Sequence, residues 1–161
     1  MISTADLAEA FGRNLNIIQQ QCDGLTHADS VLQLPFRGNC MNWVLGHIAD
    51  NRNGMLLHLG LEPILTEEQC TRYGYDSEPV TCDGDDLIPL DKLLRLLQVS
   101  QDRLAPALQA LSEEQLAVEV DSFMGKRQLG YFLFFLYFHD TYHTGTTEQL
   151  RQLAGKNDKV I

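Results

Sequence analysis

The amino-acid sequence predicts an all-α protein, a four-helix bundle formed by a single domain over residues 1–161. Three stretches carry this prediction. Leucines recur every three or four residues over 90–111, an apolar stripe with the same spacing runs over 7–22, and an apolar run from Leu129 to Phe138 opens a long segment that continues to residue 154. In the first two stretches this spacing places the apolar side chains on one face of the helix, and the third is long enough for a buried helix, as a bundle requires.

The first two predicted helices have identifiable ends. Helix one starts at Ser3 or Thr4, both favourable N-cap residues, and ends at Asp23-Gly24. Residues 25–38 are predicted to form a loop. Helix two covers about residues 39–59 and is unusually polar for a buried helix.

A long crossover joins helices two and three. Residues 60–90 contain three glycines and three prolines, with one short helix predicted at 66–70. Loops of this length in compact domains tend to be lids, binding loops or disordered segments, and this one allows two consecutive helices to run parallel. Helix three covers 90–111, with a kink expected at Pro106.

A short helix at 112–118 and helix four at 128–154 complete the chain. The first half of helix four is apolar on all sides, so we expect it to be the most buried helix.

The composition excludes several classes of partner. The chain has 12 Lys and Arg against 22 Asp and Glu, a formal charge of −10. Because nucleic-acid binding depends on cations that neutralise phosphates, neither nucleic acid nor an anionic membrane surface is an expected partner. The start of the sequence lacks the features of a signal peptide. No two of the four cysteines form a Cys-x-x-Cys pair, and we expect reduced thiols in a cytoplasmic protein, with pairing or reactivity of Cys70 and Cys82 left open.

Two histidines in helix four are candidate metal ligands. His139 and His143 are four residues apart and project from one face, one turn apart. His pairs at this spacing also occur as core residues that hydrogen bonds satisfy. His47 of helix two, taken alone, is also typical of a core histidine. Together, however, the three would form a three-imidazole set with open positions, as catalytic zinc, nickel or iron centres have. Asp140 points about 100° away from His139 and is either a residue that orients a ligand or a surface charge.

The motif Asn42-Trp43-x-x-Gly46-His47, followed by His139-Asp140-x-Tyr142-His143-x-Gly145 and by Leu150-Arg151-x-Leu-Ala-Gly155, resembles the DinB-like (DinB/YfiT) family. The resemblance covers most of the chain. It implies an up-down-down-up bundle and a divalent metal held by His47, His139 and His143. It also implies a homodimer. Two residues differ from those the family often has: Asp140 replaces Glu, and Thr146 replaces Gln.

The better-understood members of this family are metal-dependent transferases or isomerases that use a low-molecular-weight thiol. The resemblance therefore implies a thiol-dependent S-transferase, or a related detoxifying enzyme, that acts on a small electrophile. Tyr142, Arg52 and the 60–90 crossover are candidate substrate contacts, and Asp140 and Tyr142 are candidates for supporting the ligands. The alternative is a non-catalytic, dimeric helical module whose metal site is structural or vestigial.

Overall fold

The computed structural model describes residues 3–160. Its elements, in chain order, are α1 (Thr4–Cys22), α2 (His27–Ser30), α3 (Met41–His58), α4 (Glu67–Tyr73), α5 (Leu90–Gln109), α6 (Glu113–Leu116), β1 (Glu119–Ser122), β2 (Gly125–Gln128) and α7 (Leu129–Leu153). The protein is mostly helical, which confirms the predicted all-α class.

The four long helices pack so that α1 and α3 each contact both α5 and α7. Polar contacts give their relative directions. Asn14 of α1 meets Asp140 of α7, and Arg151, further along α7, reaches the end of α1 at the Gln21 carbonyl oxygen. These two helices therefore run in the same direction.

Sequence-encoded caps fix the ends of several helices. Ser3, Thr66 and Ser112 each accept a hydrogen bond from the backbone N–H three residues on and form reciprocal capping boxes. Such a cap typically stabilises a helix by about 1 kcal/mol. The predicted bounds of the long helices agree with the structure to within about two residues, which is the usual scatter of helix ends. In the crossover, α4 extends three residues beyond the predicted 66–70.

Two short elements were not predicted. Residues 27–30, expected to be loop, form the one-turn helix α2. Residues 119–128 form an antiparallel β-hairpin with Ser122 paired to Gly125, so that Phe123 and Met124 make its two-residue loop. The strands have four residues each, too few for alternation to predict them from sequence.

The expectation that helix four is the most buried helix was wrong for one of its faces. Phe132, Leu133 and Leu136 of α7 are buried in the core. On the opposite side, aromatic rings lie 48–68% exposed. These rings belong to Tyr131, Phe134, Phe138 and Tyr142. An all-round apolar pattern indicates burial but does not specify what covers each face. None of the helices in residues 3–160 has the length and apolar character needed to cross a bilayer.

Candidate metal centre

The three candidate histidines meet at one point between α3 and α7. His139 Nε2 lies 3.3 Å from His47 Nε2 and 3.2 Å from His143 Nε2. One ligand atom from each of the three residues lies within 4.8 Å of the others. The i, i+4 spacing on α7 supplies two imidazoles, and the packing of α3 against α7 supplies the third.

The orientation of His47 is fixed by a backbone carbonyl. Its Nδ1 lies 2.8 Å from the carbonyl oxygen of Tyr73, the last residue of α4. A carbonyl oxygen can only accept, so Nδ1 carries the proton and the lone pair is on Nε2, which faces the cluster. A hydrogen bond of this kind, from the distal nitrogen to a carbonyl, is typical of metal-bound histidine. The Trp43 ring stacks on the opposite side of the imidazole, with centroids 4.6 Å apart.

The motif around His47 explains how Tyr73 is held. The Tyr73 hydroxyl donates to Asn42 Oδ1 at 2.9 Å and accepts from the Ile88 backbone N–H at 2.8 Å. Gly46 gives this ring its space, because a Cβ at that position would overlap the ring atoms of Tyr73. Asn42, Gly46 and His47 thus act together: two of them seat Tyr73, whose carbonyl orients the third.

The two histidines of α7 lie among aromatic rings. Phe135 lies nearly parallel to His139, at a centroid distance of 6.4 Å, and Tyr142 meets His143 edge-on at 5.3 Å. His139 Nδ1 is buried and has no hydrogen-bond partner within residues 3–160. Ring packing, rather than an acceptor on the distal nitrogen, therefore orients this imidazole.

Burial favours the neutral form of all three imidazoles. It lowers the pKa of His139 to about 4 and that of His143 to about 3, and the neighbouring imidazoles add to both shifts. Burial also lowers the pKa of His47. An unprotonated imidazole nitrogen is the form that binds a metal, so burial keeps all three rings in the neutral form that metal binding requires.

The spacing of these nitrogens fits a divalent metal. Two imidazole nitrogens bound to tetrahedral zinc at about 2.0–2.1 Å lie about 3.3–3.4 Å apart. The observed separations of 3.2 and 3.3 Å match this value. Imidazole also suits nickel and iron, so the donor set selects a class of metal and no single member.

Asp140 faces away from the cluster, into the bundle. It is 2% exposed, and its Oδ2 accepts from Nε of Arg52 at 2.8 Å. Its Oδ1 accepts from Asn14 Nδ2 at 2.8 Å. The sequence left open whether Asp140 orients a ligand or is a surface charge, and the surface charge is wrong. Asp140 is buried in this network and holds the turn of α7 that carries both histidines.

Arg52 was one of the candidate substrate contacts, and its burial in the structure rules it out for that role. Its side chain is fully buried; besides Asp140 it reaches the Phe11 carbonyl oxygen at 3.2 Å and lies 3.4 Å from Ser100 Oγ. The pair therefore joins all four long helices. Tyr142, by contrast, is 68% exposed, and its ring contacts His143.

Several residues at the centre were not identified from the sequence. Tyr73 acts through its backbone carbonyl, which has no residue-type signal. Asn51 places Nδ2 3.3 Å from His47 Nε2, and its position four residues after His47 could have indicated this.

Comparisons with known proteins place the chain in a family. The family model described as the DinB superfamily matches residues 11–147. A crystal structure described as that of a conserved protein from Enterococcus faecalis is similar in fold, with a TM-score of 0.73 at 19% identity over 97% of this chain and 99% of that one. No match is found among curated proteins. Because the family model matches most of the length of this chain, the chain belongs to the DinB superfamily.

Proposed function

We propose that this protein is a metalloenzyme in which His47, His139 and His143 hold one divalent transition metal, zinc, nickel or iron. The convergence of three neutral imidazole nitrogens at metal-ligand spacing carries this proposal. The Tyr73 carbonyl, which fixes the tautomer of His47, supports it. Three protein ligands leave coordination positions open, as in catalytic sites.

The activity that we propose is transfer of a low-molecular-weight thiol to a small electrophile. A divalent metal lowers the pKa of a thiol that it coordinates, so that thiolate is present at neutral pH. In the transfer the thiol sulfur forms a bond to an electrophilic carbon, the bond from that carbon to its leaving group breaks, and the thiol proton passes to solvent. Tyr142, exposed at the edge of the centre, is positioned to contact the substrate.

Asp140 supports the ligands from within the bundle in this account. Its bonds to Arg52 and Asn14 prevent rotation of the α7 turn that carries His139 and His143. It acts on orientation, since both carboxylate oxygens are engaged away from the cluster.

The test uses protein loaded with cobalt(II), whose absorption reports ligand changes. Addition of a small thiol is expected to produce a sulfur-to-cobalt charge-transfer band, and His139→Ala is expected to lose both cobalt and the band. Mass spectrometry then follows formation of a thioether from the same thiol and an alkyl halide. Cobalt binding without any thiol band or product would reject the transferase and leave the metal site standing.

A second candidate function, a homodimeric helical module, is favoured by the outer face of α7. Four exposed aromatic rings occupy this face: Tyr131, Phe134, Phe138 and Tyr142. Together these rings expose on the order of 450 Å² of surface per protomer, about half of the area that one partner buries in a standard interface. A mainly apolar cavity of about 550 Å³, lined in part by Leu7, Leu116, Tyr131 and Phe134, continues this surface towards α1 and α6.

Self-association fits this face because it is uncharged in a chain of charge −10. Two acidic molecules can meet here without opposing their carboxylates. Light scattering is expected to give a dimer for the wild type and a monomer for Phe134→Glu. A wild-type monomer at high micromolar concentration would reject the dimer.

We also infer the finer architecture and the compartment. The α1–α7 contacts support parallel α1 and α7, and the α3–α7 contacts, His47 with His139 and His58 with Phe132, support antiparallel α3 and α7. An up-down-down-up four-helix bundle in one domain satisfies both. Four free cysteines, one of them the exposed Cys82, favour the reducing cytoplasm.

A further inference from the structure

Two contacts between α3 and α7 bound a stretch of the seam between these helices, which begins at the histidine cluster and which we call the furrow. At one end His47 meets His139, and at the other the rings of His58 and Phe132 lie 4.7 Å apart. Positions 47, 51, 54 and 58 share one face of α3. Since each helix advances about 1.5 Å per residue, the furrow is about 16 Å long.

Gly54 lies midway along this furrow and leaves it open. Glycine within a helix is less favourable than alanine. At Gly46, on the same helix, contact with Tyr73 accounts for the glycine, whereas a Cβ at Gly54 would meet nothing within 4 Å. No packing contact therefore requires a glycine at this position. The space above Gly54 is therefore available to a bound molecule.

The β-hairpin provides a wall at the far end of the furrow. The ring of Phe123, in the hairpin loop, is 72% exposed and contacts the edge of Phe135 at a centroid distance of 5.6 Å. Phe135 in turn lies nearly parallel to His139. A hydrogen bond between His58 Nε2 and the Asp121 carbonyl oxygen, at 2.9 Å, ties the hairpin to α3. A continuous path of rings thus connects the hairpin to the metal ligands.

The chemistry of these walls selects the bound group. Asn51, Gly54, Phe135 and Phe123 are all uncharged, in a chain whose formal charge is −10. The edge of an exposed phenylalanine ring attracts another aromatic ring beyond the effect of buried area. A flat apolar group is therefore favoured over a charged or strongly hydrated one.

We infer that the furrow binds an aromatic ring of the molecule whose donor atom reaches the histidine-held metal, with Phe123 and Phe135 as the specificity-determining residues. This inference rests on the proposed metal site and is independent of thiol transfer. It assigns to the hairpin the selection of substrate class. The substrate is accordingly a small aromatic compound whose ring lies one to two helical turns from its metal-binding atom.

The test compares two nitrogen ligands, 1-benzylimidazole and 1-methylimidazole, titrated into cobalt(II)-loaded protein. The benzyl compound is expected to bind the wild type roughly threefold to tenfold more tightly. Phe123→Ser is expected to remove most of this preference, and Gly54→Leu, which fills the furrow, to abolish it. Phe36→Ser is the control, since Phe36 is a comparably exposed phenylalanine, 64% against 72%, in the loop before α3.

The outcomes separate this inference from the proposed function. Equal affinity for both imidazoles, or a preference that survives both Phe123→Ser and Gly54→Leu, would overturn the furrow and leave the metal site intact. Failure to bind cobalt would overturn both. Loss of the preference for 1-benzylimidazole in both furrow variants, with the preference kept in Phe36→Ser, would establish the furrow. That result would not depend on whether thiols bind or react at the metal.

Discussion

Replacement of Gly46 by alanine tests the packing that orients His47. The added Cβ would overlap three atoms of the Tyr73 ring. Tyr73 is fully buried, and its hydroxyl is bonded to both Asn42 and Ile88. The ring cannot withdraw without breaking one of these bonds or moving the carbonyl that holds His47.

The expected change in the free energy of unfolding is the sum of three contributions. Overpacking a core typically costs about 1–3 kcal/mol. Loss of a buried hydrogen bond costs about 1–3 kcal/mol. The higher helix propensity of alanine stabilises the folded variant by about 1 kcal/mol. The net loss of unfolding free energy is about 3 kcal/mol, or about 6–12 °C in Tm for a chain of this length.

The assay is urea unfolding followed by circular dichroism, with zinc affinity measured on the folded variant. Gly54→Ala is the matched control on the same helix, because nothing lies within 4 Å of its added Cβ. It should raise the unfolding free energy by about 1 kcal/mol. Gly46→Ala should also bind zinc more weakly, since Tyr73 no longer positions His47. Equal stability and equal zinc affinity for the two variants would refute the packing argument.

Three further predictions concern the buried Asp140, the two histidines of α7 and the exposed Cys82. Asp140→Ala leaves the Arg52 charge buried and unpaired, so urea unfolding should show a loss of about 3–5 kcal/mol; a loss below about 1 kcal/mol would contradict this. In chelator-treated protein, unfolding free energy should fall as pH drops from about 6.5 towards 4, because the unfolded state binds protons that His139 and His143, with pKa values of about 4 and 3, do not. The double variant His139→Gln/His143→Gln should show a shallower pH dependence, and an unchanged slope would count against these pKa values. Cys82, the one exposed cysteine of those described, should react first with a maleimide, and mapping of the label to another cysteine would contradict its exposure.

Much of the fold could be predicted because helical periodicity is local. Leu7, Phe11, Leu15 and Ile18 repeat at three and four residues, and all are buried in α1 as that spacing requires. Ser3 could be recognised as an N-cap from its type and position alone. His139 and His143 followed from the same periodicity, whereas His47 was a candidate from another helix that gained support from the pair and from the family motif.

The remaining features depend on contacts between distant segments. Asp140 was correctly placed away from His139, but its partner Arg52 lies on another helix and has no local signal. The Tyr73 carbonyl could not be inferred, because any residue type supplies a carbonyl. The hairpin that carries Phe123 has strands too short for a periodic pattern, and its position beside Phe135 depends on tertiary packing.

Zinc binding by untagged protein, measured by equilibrium dialysis and elemental analysis, decides whether the three histidines hold a metal. We expect one equivalent of zinc for the wild type and for His27→Ala, since His27 contacts Asp83 outside the cluster. We expect loss of that equivalent in His47→Ala and in His139→Ala while both variants remain helical. Absence of bound zinc, nickel or iron in the wild type, or full retention of metal by His139→Ala, would contradict the three-histidine centre.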